Sequence, residues 1–466
     1  MASANERKRL DELETAPVGR LLLRYSVPAV CGTVVNAIYN IIDSMVIGHA
    51  IDDPNVVTGI AVTFPVMNIV VALGTLVGAG AAARVSILLG RHDLRTAEVV
   101  LGNCVQLTMI IGLTYALLFA CFMDPLLRLF GASDNSLPYA SEFMYWILPG
   151  LVLQNITYSY NNVMRVSGYP GKAMYTNLIG AAINCVLAPL FLFGFGWGIR
   201  GAAIATDIAM TVTAVWVMGH FCRRSSTLHF TPGTYRFNWP VIGSVLYIGL
   251  APSLLKFSGT VIIAIVNNTL LHYGGDNAVA AMVVFSRYIT LFTFTIFGIC
   301  QGMQPIVGYN YGAGRPDRIL RVFWLTVGAA SVVALTGTLL GYHNPEAIAS
   351  LFMQDPQQIA CAANCVRITT VTFWIVGLQS VAAYFFQSLG MPGRSIAISL
   401  SRQLLFLVPL VLVFPRYFGL DGVWYAYPVS DLMSGILAAV LIAIELKRLK
   451  NNVLGVAQSR ASGRFS

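Results

Sequence analysis

Asn36, Asn40 and Asp43 stand at i, i+4 and i+7 in an otherwise largely apolar stretch, Asn36-Ala-Ile-Tyr-Asn-Ile-Ile-Asp-Ser-Met-Val-Ile-Gly48. On a helix this spacing draws one polar stripe down a single face. Two amides leading to a carboxylate form a set that can hold a proton or a small cation. At the centre of a bilayer an aspartate costs about 2.5–3.5 kcal/mol on insertion scales, and acids so placed mark ion and substrate paths. The chemistry expected of Asp43 is therefore exchange of an ion for a solute, provided that the elements around it span a membrane.

They have the composition for it. Of 466 residues, 56% are hydrophobic and 11% charged, with a mean hydropathy of +0.71, far from the roughly 25% charge of soluble domains. Twelve apolar runs, at 21–49, 57–88, 96–122, 138–165, 171–193, 200–222, 240–272, 278–309, 317–341, 358–388, 393–415 and 419–446, each reach membrane-spanning length. The first 20 residues are polar and mixed in charge, and the run after them is too long for a leader's apolar core, so no cleavable signal is expected.

The net charge of +9 points to topology and away from nucleic acid. Of the 29 basic residues, 23 fall in the two tails and in alternate connections, Arg394 and Arg402 among them. By the positive-inside rule both termini face the cytoplasm. The eight cysteines lack metal-ligand spacing; Cys361 and Cys365 share a helical face with no second pair, and packing is the reading for all of them.

The chain also repeats itself. Gly168-Tyr-Pro-Gly-Lys172 returns as Gly390-Met-Pro-Gly-Arg394, 222 residues on; Pro28 matches Pro252, 224 on; Gly201–Ala205 matches Gly422–Ala426, 221 on. The expected fold is all-α and integral to the membrane: twelve transmembrane helices in two six-helix bundles related by a pseudo-two-fold along the membrane normal. The N-terminal lobe is placed at 1–230 and the C-terminal lobe at 231–466, joined by the polar linker 223–238. The glycine-rich stretch 77–83 has no strand before it and reads as close helix packing.

Sorting all 20 acids leaves three inside spans: Asp43, Asp207 and Asp431. Asp43 maps on Asn267 in the repeat, which puts the coupling site in the N-terminal lobe. Asp207 and Asp431 are each as readily interhelical hydrogen-bonding acids as working ones. Two cations, Lys256 and Arg287, also lie within spans and need a partner or an aqueous cleft.

Tyr39-Asn-Ile-Ile-Asp43 before Gly48, Gly168-Tyr-Pro-Gly-Lys-Ala-Met174, Gln301-Gly-Met-Gln-Pro305 with Tyr309-Asn-Tyr-Gly-Ala313, and Gly201-Ala-Ala-Ile-Ala-Thr206 together resemble the MATE family of multidrug and toxin extruders. The resemblance runs through all twelve spans and is closest to the DinF-type branch, with its MepA-like exporters. It implies export of cationic, amphipathic compounds driven by inward H⁺ or Na⁺. It implies a first-lobe coupling site of Asp43, Asn184, the position of Ala188 and Thr206, with Asp207 beside it, and a bend of the first span at Pro28. Where the family pattern carries a second acid, this chain has Ala188. Losing that hard oxygen ligand weakens Na⁺ more than H⁺ as the coupling ion.

The expected function is secondary active efflux with alternating access between the lobes. The substrate path is placed near Tyr39, Asn40, Met67, Asn68, Lys256 and Asp431. No cofactor beyond the coupling ion and no firm metal site is expected. The partners are small cationic substrates and the bilayer; the setting is a monomer in the bacterial cytoplasmic (inner) membrane. One alternative is a lipid-linked oligosaccharide flippase of the same superfamily, for which only Lys256 and Arg287 offer the cationic cavity. The other is a membrane-embedded transferase, which would need paired acids or a His/Asp set; the six histidines are scattered.

Overall fold

The computed structural model describes residues 12–50, 54–223, 226–231 and 233–461. The side chains of Asn40 and Asp43 lie outside the described residues. The chain is built from long helices, each from an apolar run that satisfies its backbone internally, as a bilayer demands. They are α1 Val18–Ala50, α2 Pro54–Gly90, α3 Leu94–Leu129, α4 Leu137–Val166, α5 Pro170–Pro189 with a π-helical end Leu190–Gly194, and α6 Gly198–Cys222.

The next run, Trp239–Gly312, is 74 residues long, far more than one crossing requires. Gly275 divides it with φ 64° and ψ −161°, a conformation that essentially only glycine adopts. The halves are α7 (239–274) and α8 (276–312). Then come α9 Pro316–His343, a short helix Pro345–Ser350, and α10, in two pieces Pro356–Thr370 and Phe373–Ser388 bent by 51°. The region 392–418 is α11, interrupted by a π-helical segment Ser401–Leu407, and α12 is Leu420–Ala461. Among the described residues, helix covers each of the twelve expected spans. The bend in α10 has a local cause: Thr369 and Thr370 donate back to the carbonyls of Cys365 (2.6 Å) and Val366 (2.7 Å), which bends helices.

By packing the chain divides into two units. Among the described residues, the first holds Glu12 and those from Cys31 to Phe257; the second holds those from Leu13 to Val30 and from Ser258 to Ala461. The packing division falls within two helices, α1 and α7. The first part of α1, through Val30, belongs with the C-terminal repeat, and the first part of α7, through Phe257, with the N-terminal one. Small residues make both seams. In the first unit a Cβ on Gly80 would lie 1.9 Å from the Val245 carbonyl oxygen, and one on Gly249 1.7 Å from that of Leu76. In the second unit Gly302, 222 residues after Gly80, meets Ser26, and Gly298 meets Val30, at 2.3 and 2.5 Å for the same added atom. Backbones this close leave no room for a side chain. Gly249→Leu is therefore expected to lower stability by about 1–3 kcal/mol or more, seen as a fall in the denaturation midpoint in detergent. Gly243→Leu, with nothing within 4 Å of its added Cβ, should leave the midpoint in place.

The linker is docked within the first unit. Asn103 of α3 donates to the Arg236 carbonyl (3.2 Å) and accepts from the Asn238 N–H (2.9 Å), Glu98 lies 3.3 Å from His229, and Gly102 abuts Thr234. In the second unit Asn310, from a stretch that carries the family resemblance, donates to the Leu13 carbonyl and accepts from Arg318 Nε at 3.0 Å. It anchors the segment that leads into α1. Cys365 is buried in the second unit's core with Cys361 packed against it.

Candidate functional site

Asn184 of α5 and Thr206 of α6 meet in the first unit. Asn184 is 2% exposed, and its Nδ2 donates to Thr206 Oγ1 at 2.9 Å while that hydroxyl donates to the Ala202 carbonyl at 3.0 Å. The hydroxyl is thereby fixed by two partners, its own helix and the neighbouring one. Ala188, one turn after Asn184, is buried and packs with Phe191 and Ala205. An apolar contact fills the place of the second acid. The π-helical stretch that follows Pro189 re-registers the end of α5, as such segments do beside functional residues.

On α1, Asn36 lies alongside Tyr158 of α4, and Gly32 lies against Asn177 of α5. The stripe thus begins against α4 and α5 of the first unit. Tyr158 was not singled out from the sequence, nor was Asn155, whose buried amide makes no hydrogen bond among the described residues. The available signal was the polar run Gln154–Asn162 inside a span. Pro28 sits within an unbroken α1, two residues before its packing passes from the second unit to the first.

Asp207 turns away from Thr206. Its Oδ1 lies against Gly150 of α4, where an added Cβ would be 1.8 Å from it. Successive helical residues face about 100° apart, so α6 offers Thr206 to α5 and Asp207 to α4. Asp431 of α12 is committed elsewhere too. It is 2% exposed and accepts from Arg402 Nε at 2.6 Å and from Thr372 Oγ1 at 3.4 Å, while its carbonyl accepts from Gln379 at 2.6 Å. Arg402, counted with a connection, is instead inside α11, in the π-helical segment.

Of the residues placed along a substrate path, Tyr39 is half-buried, Met67 packs against the first unit's core, and Asn68 is exposed. Lys256 is exposed, and among the described residues no carboxylate is placed to pair with it. Among the described residues no group of three or more His, Cys, Asp or Glu is placed to hold a metal ion.

A family model described as MatE matches residues 28–190 and 252–413, once in each repeat. The multidrug export protein MepA of Staphylococcus aureus is 24% identical over 449 residues, covering 95% of this chain and 97% of the relative. MepA of Staphylococcus haemolyticus is 24% identical over 437 residues, 93% and 95% of the two chains. Crystal structures of a MATE protein in straight and bent conformations match with TM-scores of 0.90 and 0.89 at 22% identity, over 97% of this chain and 100% and 99% of theirs.

Proposed function

Because the chain belongs to the MatE family, we propose that it exports cationic, amphipathic small molecules by antiport with H⁺, through alternating access. It is a multi-pass membrane transporter and not an enzyme. The observation that carries the coupling reading is the buried Asn184–Thr206 contact at 2.9 Å, on the two helices where the resemblance puts the ion site. With Ala188 in place of an acid, Asp43 supplies the only carboxylate of that set. Few hard oxygen ligands suit a proton better than Na⁺. In this reading a proton taken up by Asp43 discharges the stripe and releases the cationic substrate; its loss to the cytoplasm restores the charge. One charge moving through 100 mV contributes about 2.3 kcal/mol.

No cofactor takes part. The protein acts as a monomer in the bacterial inner membrane, with both tails cytoplasmic on the strength of their basic residues. A second reading, transport of an anionic amphiphile, is favoured by Lys256, which has no ion-pair partner among the described residues.

Purified protein in liposomes, loaded with a fluorescent organic cation and given an imposed pH or sodium gradient, tests the proposal. Export driven by the pH gradient alone is expected. Export that answers only to sodium overturns H⁺ coupling, and movement of a fluorescent anionic lipid in place of the cation selects the second reading.

A further inference from the structure

We propose that Asp207 is a second proton-carrying site of the first unit, on the α4–α6 seam and separate from the Asn184–Thr206 contact. The inference rests on the H⁺-antiport reading and adds a site to it. The two repeats carry it when compared. In the second unit α12 places Asp431 against Thr372 of α10. Gly150 precedes Thr372 by 222 residues, the repeat offset, and in the first unit α6 places Asp207 against Gly150. Each repeat thus sets a carboxylate of its sixth span on the equivalent point of its fourth.

Their surroundings differ in one respect. Asp431 has Arg402 from α11 as a counter-ion at 2.6 Å. The fifth span of the first unit reads Gly180-Ala181-Ala182 in the corresponding stretch and holds no charge from Ala173 to Pro189. Asp207 Oδ1 is sealed from solvent and accepts no hydrogen bond among the described residues. The Gly150 N–H lies alongside but already serves its own helix.

The other charges on the three helices packed there are taken or distant. Glu142 of α4 pairs with Arg200 of α6. Lys172 of α5 meets His220 of α6 at 3.3 Å, and Arg165 is at the far end of α4, beside Asn162. A carboxylate fixed by a guanidinium keeps its charge through a cycle. One without a counter-ion changes charge by binding a proton at a carboxylate oxygen, from one aqueous side, and releasing it to the other.

Infrared spectroscopy of the purified full-length protein across a pH titration reads protonated carboxyls without any substrate. Asp207→Asn should remove one pH-dependent carboxyl band, and Asp43→Asn a different one. Gly180→Arg, which supplies the missing cation, and Gly150→Ala, whose Cβ displaces Oδ1, should each abolish or shift the Asp207 band; they also serve if Asp207→Asn folds poorly. In liposomes, protons moved per substrate should fall by one in Asp207→Asn. An infrared titration unchanged by Asp207→Asn, or an unchanged proton-to-substrate ratio, overturns the proposal. Loss of the band in a protein that shows no antiport keeps the site and removes the transport reading.

Discussion

Asp43→Asn should reduce gradient-driven export of an organic cation by at least about tenfold, a change of about 1.4 kcal/mol or more in the driven step. The substitution keeps size and hydrogen-bonding capacity and removes only the ability to exchange a proton for a charge. Folding should be little affected, because an amide costs less to bury than a carboxylate. Flux down the substrate's own gradient should persist while the response to an imposed pH gradient disappears. Asp43→Glu should retain part of the coupling. Asn184→Ala and Thr206→Val, which remove a neutral contact of 2.9 Å, should act less strongly. If Asp43→Asn exports as the unmodified protein does, Asp43 is not the coupling acid.

Arg402→Ala should be among the most destabilising single changes in the second unit. It leaves Asp431, 2% exposed, with one hydroxyl at 3.4 Å and no cation. Removing one member of a buried ion pair costs about 3–5 kcal/mol; the Arg402 side chain is 32% exposed, which places the expected loss near the lower end. The denaturation midpoint in detergent checks it. Replacing both members, as in Arg402→Leu with Asp431→Leu, should recover most of the loss, since well-packed apolar residues often match a buried pair. A double-mutant cycle isolates the coupling. A midpoint unchanged in Arg402→Ala would show that the pair contributes nothing.

The spans were legible because a helix that crosses a bilayer must be long and apolar, so hydropathy and length locate them. The break at Gly275 was legible as the polar gap 273–277 between two runs. That α6 turns Thr206 toward α5 and Asp207 toward Gly150 of α4 was not legible, because the sequence grouped the two and names no neighbour for either. The ion pair between Arg402 and Asp431 was not legible, because an arginine near a span end reads as a topology signal until its partner helix is known. Nor was the exchange of half-helices between the repeats. It depends on contacts such as Ser26 Oγ to the Ile299 carbonyl, 273 residues apart, and neither strand of that contact differs in composition from any other apolar helix. The glycines that permit it were visible, but not which backbone each one admits.

That exchange also dictates an order of assembly. The first half of α1 is made before α2 to α12, yet the glycines it packs against are on α8 and are made some seven spans later. Until then its Ser26 and Val30 face lipid or an insertion factor rather than Gly302 and Gly298. The first unit waits in the same way for the start of α7. The first unit closes only once the start of α7 has been made and the second only once α8 has, so each depends on long-range contacts, slow for the reason that distant contacts are slow to form.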